Sequence, residues 1–409
     1  MTIDPRRRAS ARPGRDPRNP GPDICAEAIQ QVLRRHRDDL RALILTGSLA
    51  RGEGTVTVDR EHCRVLGDAE FLAVFADGAR RPPSSAMRAT AAEIQAALRE
   101  RRISCPVTLS AVTEDYLRAL RPAIFAYELR SCGSVVWGDP TVLQLIPELS
   151  ARDVPREDAW RLLCNRLIEQ VEVTISPADG DALASSEARY RLVKLHLDMA
   201  TSLLVFTDGY EPTYRGRSDR LGALARQPEL AAEHPFPLES FARSVEACTR
   251  WKLDSSGSNP PPLSLATALD QAHRLWRWEL GRLTGLPDDL TDQALLDALS
   301  AHQPAADRLR GWLYVVRRCG WHRSWRLWPR WARLARRGSP RYLIYSAACQ
   351  ALFASPRAVS SAAQAAVASV ATAELPVVRP SGGAVARPWA EMVADVAFNY
   401  REFLVDTRA

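Results

Sequence analysis

The sequence predicts a mixed α+β fold, in which a small sheet domain is followed by an all-helical domain. Short apolar runs typical of strands occur only before residue 145, and beyond residue 150 apolar residues recur at three- and four-residue spacing. A chain of 409 residues is also too long for one ordinary domain. We therefore predict a tail over residues 1–22, a sheet domain over 23–145 and a helical domain over 150–409.

Composition excludes several classes of protein. No run of 18 strongly apolar residues occurs, so we expect no transmembrane helix and no membrane partner; residues 358–373 come nearest, but alanine and serine dominate them. The eight cysteines are scattered singly without a C-x-x-C pair, which disfavours a zinc ribbon or a secreted disulfide framework. We expect reduced thiols and a cytoplasmic location. The net charge of +7 suits a phosphate-bearing substrate or a polyanion without requiring either.

The predicted tail is rich in arginine and proline and lacks the apolar centre of a secretory signal. An organelle transit peptide is a weaker alternative, since proline and aspartate interrupt the segment. We expect residues 1–22 to be disordered.

The elements of the sheet domain follow from short patterns. Asp23 can cap a first helix. Strands are predicted over residues 42–46, 69–75, 106–112 and 133–138, with helices over 84–102, 114–120 and 123–131. Residues 54–67 fit either a loop or a hairpin.

Two features of this domain carry chemistry. A strand that ends in Gly47-Ser48 and continues as a helix can present free amides and a hydroxyl to a phosphate. Asp68 and Glu70 are two residues apart in a strand, so both point to one face of the sheet. Carboxylate oxygens there suit Mg²⁺, which proteins hold through one or two carboxylates and substrate phosphates. Arg51 could contact a phosphate or pair with a neighbouring carboxylate.

The segments TGSLARGEG (residues 46–54) and LGDAEFLAVF (66–75) resemble the polymerase-β-like nucleotidyltransferase superfamily, over residues 23–139. The resemblance implies transfer of a nucleoside monophosphate from an NTP to an acceptor, with one or two Mg²⁺ ions. Gly47 and Ser48 would bind the triphosphate, and Asp68 and Glu70 would ligate the metal. The helical domain, notably residues 194–217, resembles domains that close the acceptor pocket in some members.

The sequence departs from this family at two points. Members usually carry a third carboxylate on a later strand, where residues 106–112 offer Thr108 and Ser110 instead. Ser48 and Asp68 are also further apart than is common, and the intervening insert contains Asp59, Glu61 and His62, which could approach the site. A catalytically degenerate protein that binds a nucleotide or a partner is therefore the alternative to an active enzyme.

Several other groups of residues have a structural interpretation. His62 and Cys63 are too few for a metal site. Lys194 and Asp198 share a helix face, and we favour an exposed ion pair over an acceptor pocket completed by Tyr214, Arg215 and Arg217.

Residues 320–337 interleave tryptophan with arginine, a composition that could bind single-stranded nucleic acid. Trp321, Trp325 and Trp328 would share one helical face, so we favour core packing with arginines at its edges and a helix interrupted at Pro329. Nucleic acid is a possible partner that we do not favour. The expected partners are an NTP and an acceptor whose class the sequence leaves open.

Overall fold

The computed structural model describes residues 18–59, 62–173, 186–227, 233–254, 260–287, 289–320, 325–354, 361–379 and 389–404. Contacts divide the chain into two compact units. The first comprises Met1–Leu149 and Arg250–Asn259, and the second comprises Ser150–Thr249 and Pro260–Ala409. The described part of the first unit mixes strands and helices, and that of the second contains helices alone. The predicted mixed α+β fold is confirmed.

The first unit is built from seven strands and five helices within its described residues. They are α1 (Gly21–His36), β1 (Leu40–Thr46), α2 (Gly47–Ala50), β2 (Val56–Asp59), β3 (His62–Val65), β4 (Ala69–Phe75), α3 (Ser84–Glu100), β5 (Ile103–Ser104), β6 (Val107–Thr113), α4 (Glu114–Arg118), α5 (Ile124–Cys132) and β7 (Ser134–Gly138).

The first helix begins earlier than its predicted cap. Pro20 occupies the N-cap position and Pro22 lies in the first turn, where a missing amide hydrogen costs nothing. Asp23 is therefore a first-turn residue, whose charge is favourable at the positive end of a helix. Of the predicted tail, residues 1–17 lie outside the described residues.

The main sheet has the strand order β6-β4-β1-β7. Strand β1 runs antiparallel to both β4 and β7, and β4 runs parallel to β6. The end of β1 therefore lies beside the start of β4, where Thr46 is paired with Glu70. This register brings the Gly-Ser turn to the carboxylate strand.

Both faces of the main sheet are covered. Alternation along β4 sends Ala69, Phe71, Ala73 and Phe75 to the face packed under α1 and α3. Leu72 and Val74 point to the opposite face, which packs against α4, α5 and the short 3-10 turn Val142–Leu145. Glu70 shares this second face by strand alternation. The carboxylates thus stand where that apolar layer ends.

The insert between α2 and β4 is a hairpin. Strands β2 and β3 pair antiparallel, and β3 adds β5 in parallel to form a second sheet in the order β2-β3-β5. Asp59 and His62 are paired at the hairpin tip, and both are exposed. Cys63 is buried in the core instead of facing a metal.

The second unit contains eleven described helices, of which α9 ends in the short segment that belongs to the first unit. They are α6 (Arg156–Val173), α7 (Ser186–Phe206), α8 (Tyr214–Ala225), α9 (Leu238–Leu253), α10 (Leu265–Thr284), α11 (Asp292–Ala301), α12 (Ala305–Cys319), α13 (Trp328–Arg337), α14 (Pro340–Ala354), α15 (Ser361–Glu374) and α16 (Trp389–Phe403). Within the described residues, no helix combines the length and apolar character that crossing a bilayer requires.

The core of the second unit lies where α6, α7, α10 and α14 pack together. Trp160, Trp276 and Tyr345 are among its largest fully buried side chains. Polar atoms are buried there as well, among them the fully buried carboxylate of Glu279 on α10. Glu279 has no counterpart in the sequence predictions.

The predicted exposed ion pair between Lys194 and Asp198 is wrong. Asp198 is buried and accepts a 2.6 Å hydrogen bond from Arg166 Nε, while Lys194 lies over the ring of Tyr190. Helical spacing placed Lys194 and Asp198 on one face, but the packing of α6 against α7 supplies Asp198 with a closer cation.

Arg217, one of the residues considered for an acceptor pocket, is buried and forms hydrogen bonds within its own unit. Arg217 is 3% exposed and donates to Thr201 Oγ1 and Tyr210 Oη, both at 3.0 Å. Its guanidinium also lies 5.1 Å from the ring centre of Tyr214. This arginine holds the turn that leads into α8.

The tryptophan-rich segment differs from its prediction. Trp325 and Trp328 are exposed, with 66% and 49% of their surface accessible, and Trp331 is buried instead. The reason is Pro329, which lies in the first turn of α13, so that the helix begins at Trp328 and the predicted continuous stripe cannot form. Trp321 lies outside the described residues.

Candidate active site

The Gly-Ser turn at the end of β1 is built on an unusual backbone conformation. Thr46 is extended, and Gly47 turns the chain with a φ of +71°, a region that side chains other than glycine rarely adopt. The amide of Glu53 donates to the carbonyl of Ser48 at 2.8 Å and closes the turn. The hydroxyl of Ser48 forms no hydrogen bond with the described residues, so it can donate to a ligand.

Glu70 packs directly on this turn. A Cβ atom added to Gly47 would lie 3.2 Å from Cδ of Glu70 and 3.3 Å from its Oε1. Glycine is therefore required at position 47 for two reasons, the positive φ and the space that the carboxylate occupies. The arrangement holds a carboxylate against the backbone that the sequence predicted to bind a phosphate.

Gly47 and Gly52 provide a matched pair for testing this contact. Gly52 has nearly the same φ, +69°, but a Cβ atom added there would meet no other atom within 4 Å. We expect Gly47→Ala and Gly52→Ala each to lower the free energy of unfolding by about 1–2 kcal/mol, because both force alanine into the left-handed region. Thermal or urea denaturation measures this effect.

Only Gly47→Ala should also displace the Glu70 carboxylate. We expect it to weaken Mn²⁺ binding, measured by electron paramagnetic resonance, by about tenfold or more, because small misplacements of a ligating group are costly. Gly52→Ala should leave the affinity within about twofold. Equal affinities for the two variants would contradict the placement of Glu70 in a metal site.

Asp68 lies immediately before β4 and is partly exposed. Its carboxylate forms neither a hydrogen bond nor an ion pair with the described residues, and Arg51 pairs with Glu53 and Glu128 instead. The nearby thiol of Cys105 is buried and donates to the carbonyl of Pro106 at 3.2 Å. Burial raises the pKa of Cys105 to about 12, and the charge of Asp68 adds to the increase.

The neighbouring strand offers no third carboxylate. Strand β6 pairs with β4 so that Thr108 is beside Glu70 and Ser110 is beside Leu72, and both β6 side chains are exposed. Across the part of the chain that the structure describes, no group of three or more His, Cys, Asp or Glu side chains is arranged to hold a metal. Of the insert residues that could have approached the site, Asp59 and His62 are at the exposed hairpin tip, and Glu61 is outside the described residues.

The donors that remain fit Mg²⁺. Asp68 and Glu70 supply hard carboxylate oxygens, and Mg²⁺ characteristically keeps several water ligands and takes others from substrate phosphates. A site of two carboxylates is therefore chemically sufficient to hold the ion when a phosphate is also bound. Sites for zinc or other soft metals would need thiolate or imidazole ligands that Asp68 and Glu70 do not provide.

Arg51 is engaged by carboxylates of its own unit. Its side chain is 4% exposed, with Nε 3.0 Å from Glu53 Oε2 and Nη1 2.6 Å from Glu128 Oε2 on α5. The guanidinium thus ties the turn after α2 to the helix that covers the second face of the sheet. A contact between Arg51 and a phosphate stays a sequence prediction.

Sequence reasoning missed a basic residue near this turn. Lys252, which is 2% exposed, donates from Nζ to Thr55 Oγ1 at 3.1 Å. The carbonyl of Thr55 in turn accepts from the amide of Leu66, two residues before Asp68. The sequence offered one signal that could have drawn attention to Lys252. It and Lys194 are the two lysines of a chain whose other basic residues are mostly arginines.

Known proteins give little guidance on the function of this chain. No family model matches it, and no curated protein matches it. A crystal structure of spectinomycin adenyltransferase AAD(9) from Enterococcus faecialis, with ATP and spectinomycin, aligns over 62% of this chain and 98% of its own, with a TM-score of 0.35 and 13% sequence identity. The function is therefore inferred from the geometry of the site itself.

Proposed function

We propose that the first unit is the catalytic part of a nucleotidyltransferase, which moves a nucleoside monophosphate from an NTP to an acceptor with Mg²⁺. The observation that carries the proposal is the packing of the Glu70 carboxylate against Gly47, with Asp68 unpaired among the described residues two positions earlier. Once a triphosphate occupies the turn, its negative charge repels the Glu70 carboxylate unless a cation lies between them. A metal-bound triphosphate removes that conflict.

Each residue of the site has a distinct role in this proposal. The amides of Gly47 and Ser48 and the Ser48 hydroxyl bind phosphate oxygens. Asp68 and Glu70 hold Mg²⁺, which would neutralise the charge that develops on the leaving pyrophosphate. Lys252 is a positioning residue, since it fixes Thr55 and through it the segment that leads to Asp68.

Few side chains of the site can accept the proton that an acceptor hydroxyl loses during transfer. Thr108 and Ser110 cannot accept it at neutral pH, because hydroxyl side chains are far too weakly basic. Among the described residues of the site, the two carboxylates are the bases that can accept the proton, and solvent is the other acceptor. This requirement favours an acceptor that is already acidic, or a reaction slower than one assisted by a third carboxylate.

The alternative function is a degenerate member of the same fold that binds a nucleotide without transferring it. Thr108 beside Glu70, where a third carboxylate would stand, is the observation that favours it. Both proposals require nucleotide binding at the Gly-Ser turn and differ only in turnover.

Turnover with the full-length protein distinguishes these proposals. Each NTP, labelled at the α-phosphate, is incubated with the protein, Mg²⁺ or Mn²⁺ and a cell extract as acceptor pool, and labelled product and pyrophosphate are followed. Transfer above the extract alone supports the enzyme. Nucleotide binding by equilibrium dialysis without transfer supports the degenerate protein, and absence of both contradicts the site.

A further inference from the structure

A surface of the second unit combines exposed tryptophan with arginine. It is formed by Trp325 and Arg326 in the 3-10 turn Trp325–Leu327, and by Trp328, Arg333 and Arg336 in α13, which follows directly. We call these five residues the Trp–Arg surface. No acidic residue occurs between residues 320 and 337.

The other face of α13 fixes this surface to the unit. Trp331 is 5% exposed, and its Nε1 donates to the carbonyl of Pro376 at 2.9 Å. Arg330 donates from Nε to the carbonyl of Leu375 at 3.0 Å, and Arg337 pairs with Glu374 at 2.6 Å. Because these three side chains bond to the rest of the unit, they hold α13 in place. The exposed residues of the Trp–Arg surface therefore project from a fixed helix.

The residues of the Trp–Arg surface project into solvent. Trp325 is 66% exposed, and the guanidinium of Arg326 lies 5.2 Å from the centre of its ring. Arg333 and Arg336 are exposed, and neither forms an ion pair with the described residues. Trp328 to Arg336 spans about 12 Å along the helix at 1.5 Å per residue. One exposed ring and two uncompensated positive charges therefore lie along a helix segment as long as a few nucleotides, and Trp325 with Arg326 extends it.

We propose that the Trp–Arg surface binds single-stranded nucleic acid. Exposed rings can stack on unpaired bases while guanidinium groups pair with phosphates, and both terms are available here together. A duplex would keep its bases stacked away from the rings. An anionic membrane fits less well, because the apolar stripe of α13, Trp331 with Leu334, faces the protein interior and cannot insert.

The test uses the full-length protein, EDTA to exclude the metal site, and a fluorescently labelled single-stranded oligonucleotide of about 15 nucleotides. Fluorescence anisotropy measures Kd over a range of salt concentrations. We expect log K to fall with log salt with a slope of about −2, as three phosphate contacts predict. Arg333→Ala with Arg336→Ala should reduce that slope to about −0.7.

The aromatic contribution is tested by Trp325→Ala, which should weaken binding about fivefold or more, whereas Trp325→Phe retains a ring and should stay within about threefold of wild type. Arg243→Ala with Arg274→Ala is the matched control. It removes two exposed arginines from the same unit, each paired with a carboxylate one turn away, and should leave Kd within about twofold. Circular dichroism melting checks that every variant is folded.

Four results would overturn the proposal. They are no binding at low salt, equal losses in the control and in the Arg333/Arg336 variant, an unchanged Kd for Trp325→Ala, and binding to anionic phospholipid vesicles but not to the oligonucleotide. The third result would indicate a general polyanion site, which heparin would then occupy equally well. None of these outcomes depends on whether the first unit transfers nucleotides.

Discussion

Asp68→Asn and Glu70→Gln are each expected to lower the rate of nucleotide transfer by at least about a thousandfold, equivalent to about 4 kcal/mol of transition-state stabilisation. Both substitutions keep the size and shape of the side chain and remove its negative charge. With two carboxylates at the site and no third on β6, neither loss can be compensated. The measurement is kcat/KM for transfer from an α-labelled NTP.

Two controls make the loss interpretable. Asp59→Asn removes a carboxylate from the exposed tip of the β2–β3 hairpin, and we expect its rate to stay within about threefold of wild type, as a change outside the site should. Because Asp68 has no protein partner among the described residues, Asp68→Asn should also leave the free energy of unfolding within about 0.5 kcal/mol. Transfer that survives Asp68→Asn would remove Asp68 from the site, and an equal loss in Asp59→Asn would show that the hairpin tip takes part.

Glu279→Gln is expected to stabilise the second unit, and to do so more strongly as the pH rises. Glu279 is fully buried on α10, and neither carboxylate oxygen has a well-formed hydrogen bond among the described residues. Burial raises the pKa of Glu279 to about 8, and the hydroxyl of Ser202 on α7 opposes the increase only in part. Cys164 on α6 interacts with Glu279 and is a thiol, so it supplies no positive charge, and burial raises its own pKa as well.

The sign of the pH dependence follows from this raised pKa. The folded unit binds the proton of Glu279 more tightly than the unfolded chain does, so the contribution is fully favourable below the ordinary pKa of 4.5. This contribution to stability is lost as the pH rises from about 4.5 to about 8. Over that range the folded state must either keep the proton on Glu279 or bury a charged carboxylate. Glutamine has the same shape and no charge. The variant should therefore match wild type near pH 4.5 and exceed it by about 2–5 kcal/mol at pH 9.

Urea denaturation across this pH range measures the difference between variant and wild type, which cancels the titration of other groups. Glu239→Gln is the matched control, because its side chain is 78% exposed and its loss should change stability by less than about 0.5 kcal/mol at any pH. A stability difference for Glu279→Gln that does not grow with pH would contradict the protonated, buried state of this residue.

The part of the site that is local in sequence was predictable. Strand alternation is sufficient to put Asp68 and Glu70 on one face, and the same alternation identified Thr108 and Ser110 as the outward residues of β6. That Glu70 touches Gly47 required the antiparallel register of β1 and β4, which pairs Thr46 with Glu70. The pattern of a single sequence does not predict which strands pair with each other, so this contact could not be predicted.

The contacts of Lys252 and Arg51 could not be predicted because they join residues that are far apart in the sequence. Lys252 and Thr55 are 197 positions apart, and Arg51 reaches Glu128 across 77 positions. The exposed tryptophans have a different cause. The predicted stripe placed Trp321, Trp325 and Trp328 on a helix that Pro329 ends, whereas proline is best tolerated in the first turn of a helix, and α13 begins at Trp328. A change of helix start moves every side chain to a new face.

The position of a bound metal ion is the decisive measurement for the proposed site. Crystals of the full-length protein grown with Mn²⁺ and an NTP analogue that cannot be cleaved between the α- and β-phosphates would show the ion by anomalous scattering. The proposed site predicts Mn²⁺ about 2.0–2.3 Å from carboxylate oxygens of both Asp68 and Glu70, with phosphate oxygens against the amides of Gly47 and Ser48. Nucleotide and metal bound elsewhere, or a phosphate at the Gly-Ser turn with no ion at the two carboxylates, would contradict it.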